Sequence, residues 1–176
     1  MSKIGKLPVS IPDGVAVNVA DNAVKVSGPK GELSFSFRPE IKVEIDNNEI
    51  KVMRKNDSKF VKALHGLTRS LIANMMKGVT EGYVYELRIV FKHFPINVSA
   101  KGDEIQIKNF LGEKSVRTAQ IIGKTDVKID KESVIVKGIN KEEVGQTAAN
   151  IELACKLRNR DRRIFQDGIF IFNKTR

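Results

Sequence analysis

The densest chemistry in the sequence is a run of cations. Between residues 156 and 163, Lys156, Arg158, Arg160, Arg162 and Arg163 stand against a single acid, Asp161. Four of the five are arginines, whose planar donors suit bidentate phosphate contact better than an ammonium does. Cations that follow a helix also suit the negative end of its dipole, but a charge this dense favours contact with a polyanion. Residues 83–176 hold 18 basic and 12 acidic side chains, so this run supplies most of that half's surplus. The whole chain carries +10 with a pI near 9.7. Such a balance predicts attraction to nucleic acid. A weaker patch, Lys59, Lys62, His65 and Arg69, falls on neighbouring turns of a predicted helix and reads as an ordinary charged outer face, His65 included.

Catalytic chemistry has little to work with. Nucleophile and base must lie within hydrogen-bond reach, and the chain offers only His65, His93 and Cys155. Cys155 lies on the apolar stripe of a predicted helix and reads as core. Two histidines and one cysteine at no ligand spacing give no expected metal site. Asp103-Glu104 and Glu142-Glu143 sit at a turn and a helix start, where carboxylates cap and solubilise. Gly28-Pro29-Lys30-Gly31 and Gly112-Glu113-Lys114-Ser115 invite comparison with phosphate loops, but neither has the GxxxxGK[ST] spacing. Both read as hairpin turns whose N–H groups are still able to meet a phosphate.

Composition narrows the partner further. With 176 residues, 41% hydrophobic and 30% charged, the chain is a globular protein of one domain or two small ones. No apolar run approaches the roughly 20 residues of a membrane span, and no amphipathic terminal helix with aromatic anchors argues for a membrane surface. The N-terminus lacks the apolar core of a secretory signal, and one cysteine makes no internal disulfide, so a reducing cytosolic setting is expected. There is no Trp and there are only two Tyr, which makes a single-strand stacking platform thin. Recognition of phosphates and shape on a folded nucleic acid is the better expectation.

The elements that position these residues repeat. VEIDNNEIKV at 43–52 superposes on VKIDKESVIV at 127–136 with an offset of 84. The same register sets Phe60 on Val144, Leu64 on Ala148, Leu67 on Ile151 and Leu71 on Cys155. Upstream, with an offset of 81, Val24-Lys25-Val26 meets Ile105-Gln106-Ile107 and Gly31-Glu32 meets Gly112-Glu113. Strand, turn and helix thus agree in one order, the mark of duplication. Strands follow from alternation at Val15, Val17, Val19, Val24, Val26, Ile41, Val43, Ile45, Ile50 and Val52. Turns fall at Asp21-Asn22, at Gly28 to Gly31 and at Asp46-Asn47-Asn48. Asp57 is the expected N-cap of a first helix, which buries Phe60, Leu64, Leu67, Leu71 and Met75 and stops at Gly78. A second helix starts at Asn140 with Glu143 three residues on, and buries Val144, Ala148, Ile151 and Cys155. A strand over 169–172 follows an Asp167-Gly168 turn. The prediction is an α+β chain of two similar tandem modules, 1–82 and 83–176, joined near 82–92, each an antiparallel sheet with one helix packed on one face.

These residues also resemble a known family. SKIGKLPVSIPDGV (2–15), GPKGE (28–32), ALHGLTRSL (63–71) with Asn74-Met75, NFLGEKS (109–115), VGQTAANIE (144–152) and DRRIFQDGI (161–169) are similar to ribosomal protein L6 of the large subunit. The resemblance covers essentially the whole chain. Up to about Gly82 the wording is that of bacterial members, and from about Phe94 that of archaeal and eukaryotic ones. It implies two duplicated α+β modules, and binding to large-subunit rRNA near the sarcin–ricin loop and stalk base, beside the docking site of translational GTPases. It also implies neighbouring ribosomal proteins as partners, with the second module as the main RNA-binding one, and neither catalysis, cofactor, metal nor small-molecule substrate. Carried over by position, the RNA contacts are Asn109, Phe110, Gly112, Lys114, Ser115, Arg117, Lys156, Arg158, Arg160, Arg162, Arg163 and Gln166. Phe110 stands either as a wedge against a base or as core. The rival readings are a DNA-architectural protein, an RNA hydrolase and a protein-binding scaffold.

Overall fold

The computed structural model describes residues 4–46, 48–157, 160–161 and 163–174, and the chain separates into two units, Met1–Gly82 and Tyr83–Arg176. In the first unit, six strands, β1 (Val9–Ser10), β2 (Ala16–Ala20), β3 (Ala23–Gly28), β4 (Gly31–Ser36), β5 (Ile41–Asp46) and β6 (Glu49–Arg54), precede the helix α1 (Lys59–Thr80). They form two antiparallel sheets, ordered β1-β6-β5 and β2-β3-β4. Each module therefore needs two sheets where alternation alone suggested one. The β2–β3 turn shows why the sequence folds back there. Asp21 and Asn22 both hold positive φ, 42° and 69°, the pair a two-residue hairpin of matching twist requires.

The second unit runs β7 (Tyr83–Val90), β8 (Asn97–Lys101), β9 (Glu104–Lys108), a 3-10 turn (Phe110–Gly112), β10 (Arg117–Gln120), β11 (Asp126–Ile129), β12 (Ser133–Gly138), α2 (Lys141–Ala154) and β13 (Gly168–Lys174). Its sheets are β10-β9-β8 and β11-β12-β7-β13, all pairs antiparallel. The stretch expected to join the modules is thus largely a central strand. Tyr83, Tyr85, Leu87 and Ile89 point one way from β7 and are buried, while β12 and β13 flank it.

The duplication is visible in the boundaries. Ala16–Ala20 becomes Asn97–Lys101 at an offset of 81, and Glu49–Arg54 becomes Ser133–Gly138 at 84. The difference is absorbed after β9, where the equivalent of the tight β3–β4 turn has opened into a loop. Gly28 and Gly31 pair directly, whereas 109–116 separates β9 from β10. Gly112-Glu113-Lys114-Ser115 is accordingly part of a wide loop and not the tight hairpin turn expected.

The first helix differs most from its sequence reading. Its buried face is Val61, His65, Thr68, Ile72, Met75, Met76 and Val79, while Phe60 and Leu67 are each 53% exposed. The stripe is rotated by one residue, so the helices superpose at an offset of 83. Val61, His65, Thr68 and Ile72 occupy the places of Val144, Ala148, Ile151 and Cys155, all buried as expected. His65 is therefore not an outward-facing residue. Its Nε2 lies 2.8 Å from the carbonyl of Val52 and its Nδ1 3.1 Å from an Arg54 guanidinium nitrogen. Because arginine only donates, Nδ1 accepts and Nε2 carries the proton that Val52 receives. The cap is Ser58, whose hydroxyl accepts from the N–H of Val61. Asp57 instead pairs with Arg54 at 2.7 Å. The helix continues through Gly78 to Thr80, and Gly82, at φ 73°, lies beyond its Glu81 cap. In α2 the cap is Asn140, whose side-chain oxygen accepts from the N–H of Glu142 while its amide donates to Glu143.

Candidate nucleic-acid interface

The site begins in the wide loop between β9 and β10. Three residues of positive φ, Asn109 (59°), Leu111 (52°) and Gly112 (75°), coil the backbone around Phe110, which is completely buried. Phe110 is thus a core residue, and of its two readings the wedge against a base is excluded. Asn109 turns its amide inward to donate to the carbonyl of Pro95 at 3.1 Å. Gly112 faces the Phe94 ring, which a Cβ there would meet at 3.3 Å. What the loop leaves outside is Lys114, Ser115 and Val116, all exposed.

Arg117 ties this loop to the end of α2. Its Nε and one terminal nitrogen donate to the two carboxylate oxygens of Glu113 at 2.9 and 2.8 Å. The other terminal nitrogen donates to the carbonyls of Ala154 at 2.9 Å and Lys156 at 3.2 Å. Its guanidinium also lies 4.3 Å from the centroid of the Phe110 ring. Four of its five N–H donors are spent inside the protein, one on the carbonyl of Ala154, which the helix end would otherwise leave without an intrahelical partner, and one on that of Lys156 just beyond it. Arg117 is therefore a positioning residue more than a phosphate ligand. It places the start of the cationic run beside the loop 109–115, so the two predicted segments belong to one face of the second unit.

Electrostatics record the same proximity. The hydrogen bond from Arg117 holds the Glu113 carboxyl below its ordinary range against a smaller opposing effect of burial, with Arg160 and Ser115 acting in the same direction as Arg117. Arg160 is exposed, its guanidinium 4.9 Å from the Phe165 ring centroid. Arg163 is 90% exposed and forks onto Asp161 at 2.7 Å. That hydrogen bond pulls the Asp161 carboxyl down and the Arg163 guanidinium up. A pair so open to water contributes little and is readily exchanged for another anion. The Asp161 carbonyl also accepts from the N–H groups of Ile164 and Phe165, which curls the segment back toward β13. Lys156 and Gln166 are exposed, Gln166 reaching the carbonyl of Arg163 at 3.5 Å. Arg158 and Arg162 lie outside the described residues.

Burial pushes the Cys155 thiol up to about 11, which makes it a poor nucleophile. Among the described residues no group of three or more His, Cys, Asp and Glu side chains is arranged to hold a metal ion, and no helix is long and apolar enough to cross a membrane. Two of the site's arginines are held by acids, Arg117 by Glu113 and Arg163 by Asp161. The i, i+4 spacing of Glu113 and Arg117 was the available signal for the first of these pairings. The exposed Phe91 and Phe94 around Lys92-His93 were passed over, although alternation of rings and cations is readable.

A doubled α+β chain whose second unit carries a cationic face braced at its own helix end defines a class of two-module proteins. Comparison with known proteins names the branch. The family model for ribosomal protein L6 matches residues 11–82 and 94–168. The large ribosomal subunit protein uL6 of Methanocella arvoryzae is 48% identical over 95% of this chain and 96% of its own. Those of Methanobrevibacter smithii and Aeropyrum pernix are each 45% identical, over 94% of this chain and 94% and 92% of theirs. The chain belongs to the ribosomal protein L6 family, whose members are structural and not enzymes. These archaeal relatives align over 94–95% of the chain, and so across both units.

Proposed function

We propose that this chain is a structural component of the large ribosomal subunit in the cytoplasm, and that its second unit, 83–176, is the main RNA-binding module. The ligand is large-subunit rRNA near the sarcin–ricin loop and the stalk base, beside the place where translational GTPases dock, with neighbouring ribosomal proteins as further partners. The observation that carries this reading is the Arg117 staple, which sets the loop 109–115 against the start of the cationic run. Lys114, Lys156, Arg160 and Arg163 are all exposed on these two segments. Such groups bind by neutralising phosphates and releasing counterions, so affinity is expected to fall steeply with salt. Ser115 and Gln166, both exposed, are placed to add hydrogen bonds to sugar or base edges, whereas the Asn109 amide is spent on the carbonyl of Pro95.

The test is binding of the full chain to a transcript of large-subunit rRNA across a salt series. Arg160→Ala with Arg163→Ala should weaken binding and flatten the log–log salt slope by about 1.4 to 1.8 units, at about 0.7 to 0.9 per phosphate contact. Unchanged affinity and slope would remove the segment from the interface. Preference for duplex DNA over the transcript at fixed salt would favour the DNA-architectural reading.

A further inference from the structure

The connection between β7 and β8 lies between the two cationic segments, and nothing so far has given it a task. Phe91, Lys92, His93 and Phe94 are all exposed, the two rings by 43% and 46%. On one side, Phe94 packs its ring against Gly112, and Asn109 grips the carbonyl of Pro95. On the other, Val90, the last residue of β7, lines a cleft with Lys156, Phe165 and Gln166. The Phe94 ring is backed by the loop at Gly112 while staying open to water. Around it the charge is positive: Lys92 and Lys114 are exposed, and the nearby acid Glu113 is already committed to Arg117.

We infer that the Phe91–Phe94 turn is a stacking subsite for an unpaired nucleotide of the bound RNA, with Phe94 taking the base on its exposed face and Lys92 and Lys114 flanking the phosphates. The inference rests on the RNA-binding reading above and adds to it a base-recognising element. An exposed aromatic ring with one lysine on its own turn and another on the loop that backs it suits a ligand that is at once flat, apolar on its faces and anionic along its backbone, and an extruded nucleotide is all three. An acidic protein segment would match the lysines but gains less from exposed aromatic rings. Gly112 acquires a reason as well, since its lack of a side chain lets the loop support the ring from the opposite side.

The chain contains no tryptophan, which makes a direct optical test available. In Phe94→Trp, stacking on a base should quench the new indole emission strongly when a large-subunit rRNA transcript is added, while Phe172→Trp, on β13, should respond little. In Phe94→Leu, which keeps apolar bulk against Gly112, affinity for the transcript should drop by about 5- to 150-fold, the usual effect of losing one base–aromatic stack. Its salt slope should stay that of the parent protein, because no phosphate contact is lost, and Phe94→Tyr should restore binding. Transcript binding by Phe94→Trp without quenching, or parental affinity in Phe94→Leu, overturns the subsite and leaves the RNA-binding reading standing. Quenching by an acidic protein of the same subunit, but not by the transcript, also overturns it. If the parent chain binds no transcript at all, it is the underlying reading that fails.

Discussion

Replacing Arg117 by alanine removes a fork to Glu113, two bonds to helix-end carbonyls and a guanidinium lying over Phe110. The Arg117 side chain is 24% exposed and that of Glu113 37%, so water screens the ion pair and its share is about 1 kcal/mol. The two carbonyls lose a charged donor, at about 0.5 to 1 kcal/mol each in this half-open setting. The contact with the ring adds about 0.5 kcal/mol. Because one side chain makes all of these contacts, they vanish together, and the second unit should lose about 3 kcal/mol in total. Cys155 supplies the assay. It is the sole cysteine, buried at the end of α2, so its modification by a thiol reagent in urea reports opening of this unit alone. With a urea slope of about 2 kcal/mol/M, the midpoint should fall by about 1.5 M. Arg117→Lys should recover less than half of the loss, since an ammonium has no second prong. A midpoint within about 0.2 M of the parent value would refute the staple, and with it the rigid coupling of loop to cationic run.

The Glu113 carboxyl sits lower in the folded chain than its usual value of 4.5, so the unfolded state binds more protons between the two values. Its contribution is complete above about pH 4.5 and is lost as pH falls through the lowered folded value, and Glu113→Gln should flatten that part of an acid-unfolding curve. His65→Leu should destabilise the first unit by about 2 to 3 kcal/mol, because it strands the Val52 carbonyl and an Arg54 donor in the interior, and chemical denaturation would read this. Gly28→Ala brings a Cβ to 2.7 Å from a Val79 methyl of α1 and should cost about 1 to 3 kcal/mol. A neutral result in the same measurement would show that the helix yields there.

The second helix was legible because its apolar residues form one stripe and nothing competes with it. The first has two overlapping stripes. Phe60, Leu64, Leu67 and Leu71 are all apolar and keep helical spacing, whereas the face that is buried includes His65 and Thr68. Hydropathy alone favours the wrong one, and only the bonds to Val52 and Arg54 make His65 tolerable inside. β7 was hidden for a related reason: Val84 and Val90 on its outer face are apolar too, which blurs the alternation of Tyr83, Tyr85, Leu87 and Ile89. In the candidate site, the cations could be read directly. What braces them could not, because Arg117 reaches backbone oxygens of Ala154 and Lys156, and a carbonyl leaves no mark in a sequence. Nor does spacing reveal that Phe110 turns inward, which depends on the left-handed backbone at Asn109 and Leu111.

The placement of β7 has a temporal side. It is the earliest segment of its unit to leave the site of synthesis, yet one of its flanks is filled by β13, the latest, with Tyr85 opposite Lys174. The first unit meets no such delay, since its strands and helix are complete by Thr80. A nascent chain can therefore mature its amino-terminal half while the remainder waits, edge open, for a strand still to be translated. During that wait the unpaired flank of β7 is a target for chaperones and for mispairing with other chains.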